Sequence, residues 1–193
     1  YGKGMMEPFT ALTYLAAHTS KVRLGTAICL VTQRNPIYTA KQVADVDYLS
    51  GGRVNFGIGL GWLREEFAAL NVPFEKRGKR ANEHIAVMKA LWCQEVSKYH
   101  GELYDLQSCV MYPKPIQTPH PPIFVGGEGD HALNRVAALA QGWLGASMEP
   151  EVITERIATL HHLLDERGRA RDEVKIYTLP NRRPSADRCR RLE

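Results

Sequence analysis

Three glycines that alternate along one predicted strand form the pattern best suited to holding a flat ligand. They are Gly57, Gly59 and Gly61, while the apolar residues between positions 54 and 60 take the opposite face of the strand. Glycine weakens a strand interior because it costs backbone entropy and packs nothing. We therefore expect a flat ligand to lie against the backbone in the space beside these glycines. Gly59→Val should abolish its binding while perturbing the fold less than the buried position suggests.

Two other interpretations of this strand stay open. The glycines superficially match a dinucleotide fingerprint, but the full G-x-G-x-x-G pattern is absent and no acidic residue ends a second strand at the required distance. A Rossmann dehydrogenase is therefore weakly supported. The glycines would also suit a strand kept slim to fit its neighbours, with no ligand at all.

A second glycine cluster, Val125-Gly-Gly-Glu-Gly129, ends a predicted strand and leads into a helix that Asp130 can cap. Backbone N–H groups at such a helix start favour an anion, and a phosphate is a suitable one. Glu128 and Asp130 bring negative charge to the same place, so their side chains must point away from any phosphate. A tight turn without a ligand is the alternative.

Charged residues elsewhere give weaker signals. Arg34 follows a strand end and is suited to a phosphate or an acidic substrate, although a solvated loop arginine is the more common outcome. Glu65 and Glu66 are placed to assist proton transfer. The simpler interpretation is that one is solvated and the other pairs with Arg64 or a nearby lysine. The seven histidines lack metal-ligand spacing, so no metal site is expected.

Composition indicates a globular protein without a membrane or nucleic-acid partner. No apolar run approaches the roughly 18 residues of a membrane helix, and the first residues contain no signal-peptide block. The arginines of residues 182–191 lack interleaved aromatics and predict a solvated end. Cys29 and Cys93 are interpreted as small buried hydrophobes, and reduced thiols fit the expected cytoplasmic location.

The elements that must position these residues alternate regularly along the chain. Helices are predicted over residues 7–19, 36–49, 63–70, 79–92, 132–140, from Pro150 and from Ser185, and strands over residues 22–30, 54–62, 123–126, 143–146 and 174–179. Residues 101–122 are rich in proline and predict an irregular surface excursion. Alternating strands and helices indicate an α/β fold with a parallel sheet, although periodicity does not separate a closed barrel from an open sheet.

A series of motifs spans the chain up to about Pro180. In order they are Val22-Arg-Leu-Gly-Thr26, Arg34-Asn-Pro36, Leu49-Ser-Gly-Gly-Arg53, Gly57-Ile-Gly-Leu-Gly-Trp-Leu-Arg-Glu-Glu-Phe67, Val72-Pro-Phe-Glu-Lys-Arg77, Tyr112-Pro-Lys-Pro115, Pro121-Pro-Ile-Phe-Val-Gly-Gly127 and Gly142-Trp143. Together they resemble the luciferase-like monooxygenase superfamily, particularly its deazaflavin-dependent oxidoreductase branch.

The resemblance implies a (β/α)₈ TIM barrel that binds a flavin-type cofactor at the carboxyl ends of its strands. Coenzyme F-420, a deazaflavin, is the first choice and FMN is the alternative. A bulge with a non-prolyl cis peptide is implied at Ala27-Ile28, behind the ring. The implied cofactor contacts are Ala27, Ile28, Gly59, Leu60, Gly61 and Trp62 at the ring or ribityl chain, Gly126, Gly127, Glu128 and Gly129 at the phosphate, and Ser147 at the next strand end.

Against a complete barrel of about 250 residues, this chain is short. The resemblance places residues 1–193 in one partial barrel domain that lacks the first two strands and the last, with a divergent basic end at residues 181–193. Open parallel edges favour a homodimer. The leading hypothesis is hydride transfer between F-420 and a small-molecule substrate. An FMN-dependent monooxygenase, a non-catalytic barrel remnant and a Rossmann dehydrogenase are the alternatives.

Overall fold

In a computed structural model, residues 6–146 and 149–179 are described. The contacts divide the chain into two compact units, Tyr1–Pro121 and Pro122–Glu193. The candidate site residue Ser147, the helix predicted from Ser185 and the basic end at residues 181–193 lie outside the described residues. Both units alternate strands with helices, as the sequence predicts for an α/β fold.

The first unit contains four helices and five strands. They are α1 (Pro8–His18), β1 (Leu24–Gly25), β2 (Cys29–Leu30), α2 (Pro36–Ser50), β3 (Val54–Gly59), α3 (Arg64–Ala69), α4 (Arg77–Cys93), β4 (Ser97–His100) and β5 (Asp105–Cys109). A 3-10 turn, Val31–Gln33, joins β2 to α2.

The strand predicted over residues 22–30 is interrupted. β1 and β2 both pair in parallel with β3, Leu24 opposite Val54 and Cys29 opposite Ile58, but residues 26–28 between them leave the ladder. Inside this break the Thr26 hydroxyl donates a 2.5 Å hydrogen bond to the carbonyl of β3 at Gly57. The break therefore stays attached to β3 although its backbone no longer pairs as a strand.

Local signals set the ends of α2 as the sequence predicts. The side chain of Asn35 accepts hydrogen bonds from the N–H groups of Ile37 and Tyr38, and proline occupies the first helical position. Gly51 closes the helix in the left-handed conformation, with φ of 71°, which glycine adopts without a steric penalty.

The prediction of an irregular stretch over residues 101–122 is wrong in its first part. β4 and β5 form an antiparallel hairpin, and the buried carboxylate of Glu83 on α4 accepts 2.9 Å hydrogen bonds from the N–H groups of Leu103 and Tyr104. The prolines that suggested irregular structure begin at residue 113, after the hairpin has ended.

The second unit contains β6 (Ile123–Gly126), α5 (Asp130–Leu139), β7 (Gly142–Ala146), α6 (Pro150–Asp165) and β8 (Lys175–Leu179). β7 pairs in parallel with β6 on one side and with β8 on the other. The N-cap of α5 is Gly129 rather than the predicted Asp130, which is already the first helical residue. Within the described residues no helix has both the length and the apolar character required to cross a membrane.

Candidate functional site

A cavity of about 300 Å³ lies in the first unit at the carboxyl end of β2. Its lining residues are Pro8, Ile28, Cys29, Leu30, Gln33, Arg34 and Leu70. The carboxyl ends of parallel strands are where ligands bind in α/β proteins, since the loops that follow the strands are free to vary there. This cavity is therefore the candidate ligand site of the first unit.

The strand break forms part of the cavity wall. The peptide bond between Ala27 and Ile28 is cis, which confirms the conformation expected at this position. Ile28 is 41% exposed, so its side chain presents an apolar surface to the cavity as well as packing inward.

Open space beside the glycine face of β3 was expected, and at Gly59 this expectation is wrong. A Cβ added to Gly59 would overlap Cδ1 of Ile28 and lie 3.0 Å from its Cγ1. The Ile28 side chain therefore already fills the space that the missing side chain leaves. At Gly61 the same construction meets Phe67 at 2.9 Å and Gln33 at 3.2 Å. The glycines let neighbouring groups approach the strand, and the apolar surface that remains exposed here is the outer side of Ile28.

The loop after β3 is held from two directions. Its Leu60 carbonyl accepts a 2.6 Å hydrogen bond from the Thr32 hydroxyl, and its Gly61 carbonyl accepts one of 3.2 Å from Nε of Arg77. Gly61 has φ of 74°, a conformation that favours glycine. The neighbouring Trp62 is 67% exposed. A fixed backbone thus presents a large aromatic side chain to solvent at the carboxyl end of β3.

Arg34 is held in place at the cavity and is not a solvated loop arginine. Its Nη2 donates to Oε1 of Glu7 at 2.8 Å and to the side-chain oxygen of Gln42 at 3.1 Å. The guanidinium carbon lies 5.0 Å from the centre of the Phe9 ring. No spacing pattern connects Arg34 with Glu7, which caps α1, or with Phe9, which lies on that helix.

Arg34 and Glu7 set the charge at the cavity. Burial raises the pKa of Glu7, but hydrogen bonds from Thr10 and Arg34 outweigh it, so the net pKa lies below its usual value. Burial raises the pKa of the Cys29 thiol to about 11, against a smaller opposite effect of Arg34. At neutral pH the cavity wall therefore contains the neutral thiol of Cys29 and the guanidinium of Arg34, which is paired with the Glu7 carboxylate.

The two cysteines interpreted as buried differ. Cys29 is buried, as predicted, but Cys93 is exposed. Cys93 is the last residue of α4, where the apolar face of the helix ends, and its thiol donates to the carbonyl of Pro119 at 3.2 Å.

Glu65 is exposed, as expected for one of the two acidic residues after β3, but the pairing expected for the other is wrong. Arg64 pairs with Glu75 at 3.1 Å rather than with Glu65 or Glu66. Glu66 instead accepts a 3.3 Å hydrogen bond from the side chain of Gln33 in the cavity wall. Glu66 therefore orients a cavity residue.

The 3-10 turn that carries the polar cavity wall is also anchored from α4, by a residue that sequence reasoning did not select. His84 is buried, and its Nδ1 lies 3.0 Å from the carbonyl of Val31. Burial holds the pKa of His84 below its usual value, so the ring is neutral at pH 7. The one sequence signal for its burial was its position within the apolar face of a helix.

The glycine loop of the second unit keeps its predicted place at the start of α5. Gly126 ends β6, and the Gly127 N–H donates to the carbonyl of Leu144 at 3.4 Å. Both nearby carboxylates have partners: Glu128 accepts from the N–H of Ala146 at 3.1 Å, and Asp130 pairs with Arg156 at 2.5 Å. Binding of a phosphate by these residues stays a prediction.

Alanine substitutions at Gly127 and Gly129 are expected to have different effects on stability. Gly127 has φ of 120°, and an added Cβ would lie 3.2 Å from Ala132, so Gly127→Ala should cost about 1–3 kcal/mol of unfolding free energy. Gly129 has φ of −77°, and its added Cβ would meet nothing within 4 Å, so Gly129→Ala should stay within about 0.5 kcal/mol of the parent. Urea unfolding measures both, and equal losses would contradict this account of the loop.

The described residues include no group of three histidine, cysteine or acidic side chains able to hold a metal ion.

Comparison with known proteins identifies the family to which the sequence is similar. The model of the family described as luciferase-like monooxygenase matches residues 1–185. An uncharacterised protein of Mycobacterium tuberculosis is 34% identical over all 193 residues, which cover 65% of that protein. The FMNH2-dependent dimethylsulfone monooxygenase of Pseudomonas putida is 34% identical over 140 residues, 71% of this chain and 38% of that enzyme. The chain thus spans less than two thirds of these relatives.

Among solved structures, the coenzyme F-420-dependent tetrahydromethanopterin reductase of Methanopyrus kandleri superposes with a TM-score of 0.80. The superposition covers 90% of this chain and 54% of the reductase, at 24% identity. At that identity the likeness shows a common fold.

Proposed function

Since the chain belongs to the luciferase-like monooxygenase family, we propose that it forms the cofactor-binding part of an oxidoreductase that uses the deazaflavin coenzyme F-420. The carrying observation is the cavity at the carboxyl end of β2, with Ile28 exposed on its wall. Ala27 and Ile28 would support the ring from one side, and Leu60, Gly61 and Trp62 would border it.

The residues present fit a flavin-type ring. A tricyclic ring needs a flat apolar support and few polar neighbours, which the outer face of Ile28 and the exposed Trp62 provide. The loop that carries Trp62 is held through Leu60 and Gly61, so the support is rigid. In the second unit, the open space beside Gly129 at the start of α5 is suited to a phosphate, and we propose Gly126–Gly129 as phosphate ligands. We extend the same proposal to Ser147.

A bound cofactor would supply the hydride chemistry, and the protein would supply position and surroundings. Ile28, Leu30 and Leu70 form an apolar part of the cavity wall, while Gln33 is oriented by Glu66. Thr32 and His84 hold the turn that carries Gln33 and Arg34. These groups fix where a small substrate would rest beside the ring.

FMN is the second candidate, because the relative from Pseudomonas putida is described as FMNH2-dependent and shares 34% identity over 140 residues. The same cavity wall serves either ring, since both are flat tricycles. They differ in their side chains and in reactivity with oxygen, so a binding experiment distinguishes them.

Titration of the purified protein with each cofactor tests the proposal. We expect F-420 to bind with a micromolar Kd, measured by quenching of its fluorescence, and FMN, reduced FMN under nitrogen and NAD to bind at least tenfold more weakly. Tight binding of FMN or its reduced form would transfer the proposal to the FMN-dependent class. Micromolar binding of none of the flavin-type cofactors would contradict both and favour the non-catalytic alternative, and tight binding of NAD would favour the dehydrogenase.

A homodimer, a small-molecule substrate and a cytoplasmic location complete the proposal. They rest on family membership and on the sequence patterns described above, and they stay predictions.

A further inference from the structure

We infer that the cavity at the end of β2 accepts a substrate with an anionic group, such as a carboxylate or a sulfonate, on a small apolar body, and that Arg34 is its anchor. The inference rests on the proposed function in one respect only, since it takes this ligand to be the substrate that meets the cofactor. The binding site itself stands on the geometry of the cavity.

The wall of the cavity has an apolar part and a polar part. Pro8, Ile28, Leu30 and Leu70 are apolar, whereas Gln33 and Arg34 are polar and adjacent in sequence. Among the lining residues that the structure describes, Arg34 is the one cation. A ligand that satisfies both parts of the wall carries an apolar portion and an acceptor of hydrogen bonds at one end. A volume of about 300 Å³ limits it to a small molecule.

The guanidinium of Arg34 is oriented, and within the described residues only one of its three nitrogens donates a hydrogen bond. Its side chain is 28% exposed, packs over Phe9 and uses Nη2 for both of its hydrogen bonds, to Glu7 and Gln42. Arginine has five N–H donors, so the N–H groups of Nε and Nη1, which have no hydrogen-bond partner among the described residues, remain for an incoming anion. A fixed guanidinium binds carboxylates and sulfonates well, because less side-chain entropy is lost per hydrogen bond.

Glu7 acts as an internal competitor for this charge. Its Oε1 pairs with Arg34 at 2.8 Å, while its Oε2 accepts from the N–H of Thr10 and caps α1. The ion pair keeps the guanidinium in place without a ligand, and the negative charge of Glu7 opposes the binding of a second anion. Glu7→Gln should therefore strengthen anion binding, whereas Arg34→Gln should weaken it. A purely structural role for the pair predicts weakening in both variants.

The experiment compares hexanoate and hexane-1-sulfonate with the neutral 1-hexanol by ligand-observed NMR. For the unchanged protein we expect the two anions to bind at least tenfold more tightly than 1-hexanol, the ratio that a charge-assisted hydrogen bond provides. Arg34→Gln should remove that ratio and leave 1-hexanol unaffected. Glu7→Gln should tighten the anions severalfold. Arg34→Lys, which keeps the charge but loses the planar fork, should fall between.

Arg64→Gln is the matched control, because Arg64 also pairs with a glutamate and stacks on a phenylalanine but does not line the cavity. It should leave all three ligands unchanged. Thermal melts identify variants that fail to fold, and if Arg34→Gln is one of them, the opposite effect of Glu7→Gln decides the test. Equal binding of anions and 1-hexanol, or weakening by Glu7→Gln, would overturn the inference.

Cofactor titrations on the same preparations keep the two proposals separate. Cofactor binding without a preference for anions leaves the proposed function intact and rejects the anchor role of Arg34. A preference for anions without cofactor binding supports the anion site and rejects the proposed function.

Discussion

Replacing Gly59 with valine is expected to destabilise the first unit and abolish cofactor binding, and shortening Ile28 in the same protein should restore most of the stability. A side chain at position 59 overlaps the end of Ile28, whose remaining atoms lie close behind it. Gly59 is buried in β3. Overpacking of a filled interior costs about 1–3 kcal/mol, because side chains and backbone must shift.

The pair of substitutions conserves the number of carbon atoms. Gly59→Val adds three carbons and Ile28→Ala removes three, so the double variant should fill the same space without overlap. A double-mutant cycle by urea unfolding should give a favourable interaction energy of about 1 kcal/mol or more. Cofactor binding, followed by fluorescence quenching, should return only in part, since the exposed surface of Ile28 is then missing.

Two results would contradict this account. Gly59→Val with parent stability would show that Ile28 does not depend on the gap beside Gly59. A double variant no more stable than Gly59→Val would show that the cost lies elsewhere in β3. Ile28→Ala alone is the control, and we expect it to change stability less than Gly59→Val because its side chain is partly exposed.

The sequence predicted the elements well where the signal is local. Asn35 followed by proline sets the start of α2, and the glycine pair after Ser50 sets its end; each signal lies next to the helix end that it sets. The alternation of apolar strands with helices predicted the parallel pairing in both units. The hairpin of β4 and β5 was not predicted from the sequence, because both strands are largely exposed and lack a clear apolar alternation.

The candidate site was predictable in place but not in detail. Motif order located the strand break at Ala27-Ile28. Of the predicted cofactor contacts, however, Ile28 alone is among the described residues that line the cavity. That Ile28 fills the space beside Gly59 was not predictable, because the two residues are 31 positions apart. A glycine shows that space is left beside a strand, but not which neighbouring side chain fills it. Likewise, the partner of Arg34 is Glu7, 27 positions earlier, and no spacing rule connects them.

The second large effect is expected at Asp47, a fully buried carboxylate on α2. Its Oδ2 accepts from the N–H groups of Ile116 and Gln117 at 2.8 and 3.0 Å, and its Oδ1 accepts from the Gln117 side chain at 2.7 Å. The same Gln117 amide donates to the carbonyl of Val54 at the start of β3. One buried carboxylate thus attaches the proline-rich segment to both a helix and a strand.

Asp47→Ala should lower the free energy of unfolding by about 3 kcal/mol or more, since each buried donor left without a partner costs roughly 1–3 kcal/mol. Asp47→Asn should cost less, because one oxygen remains, but its amide would face N–H donors. Asp45→Asn, two residues earlier on α2, is the control: that carboxylate is partly exposed and pairs with Lys41 at 2.7 Å, so its loss should stay near 0.5 kcal/mol. Urea unfolding measures all three. If Asp47→Ala cost no more than the control, water would have to replace the carboxylate, and the segment would owe its position to its prolines rather than to Asp47.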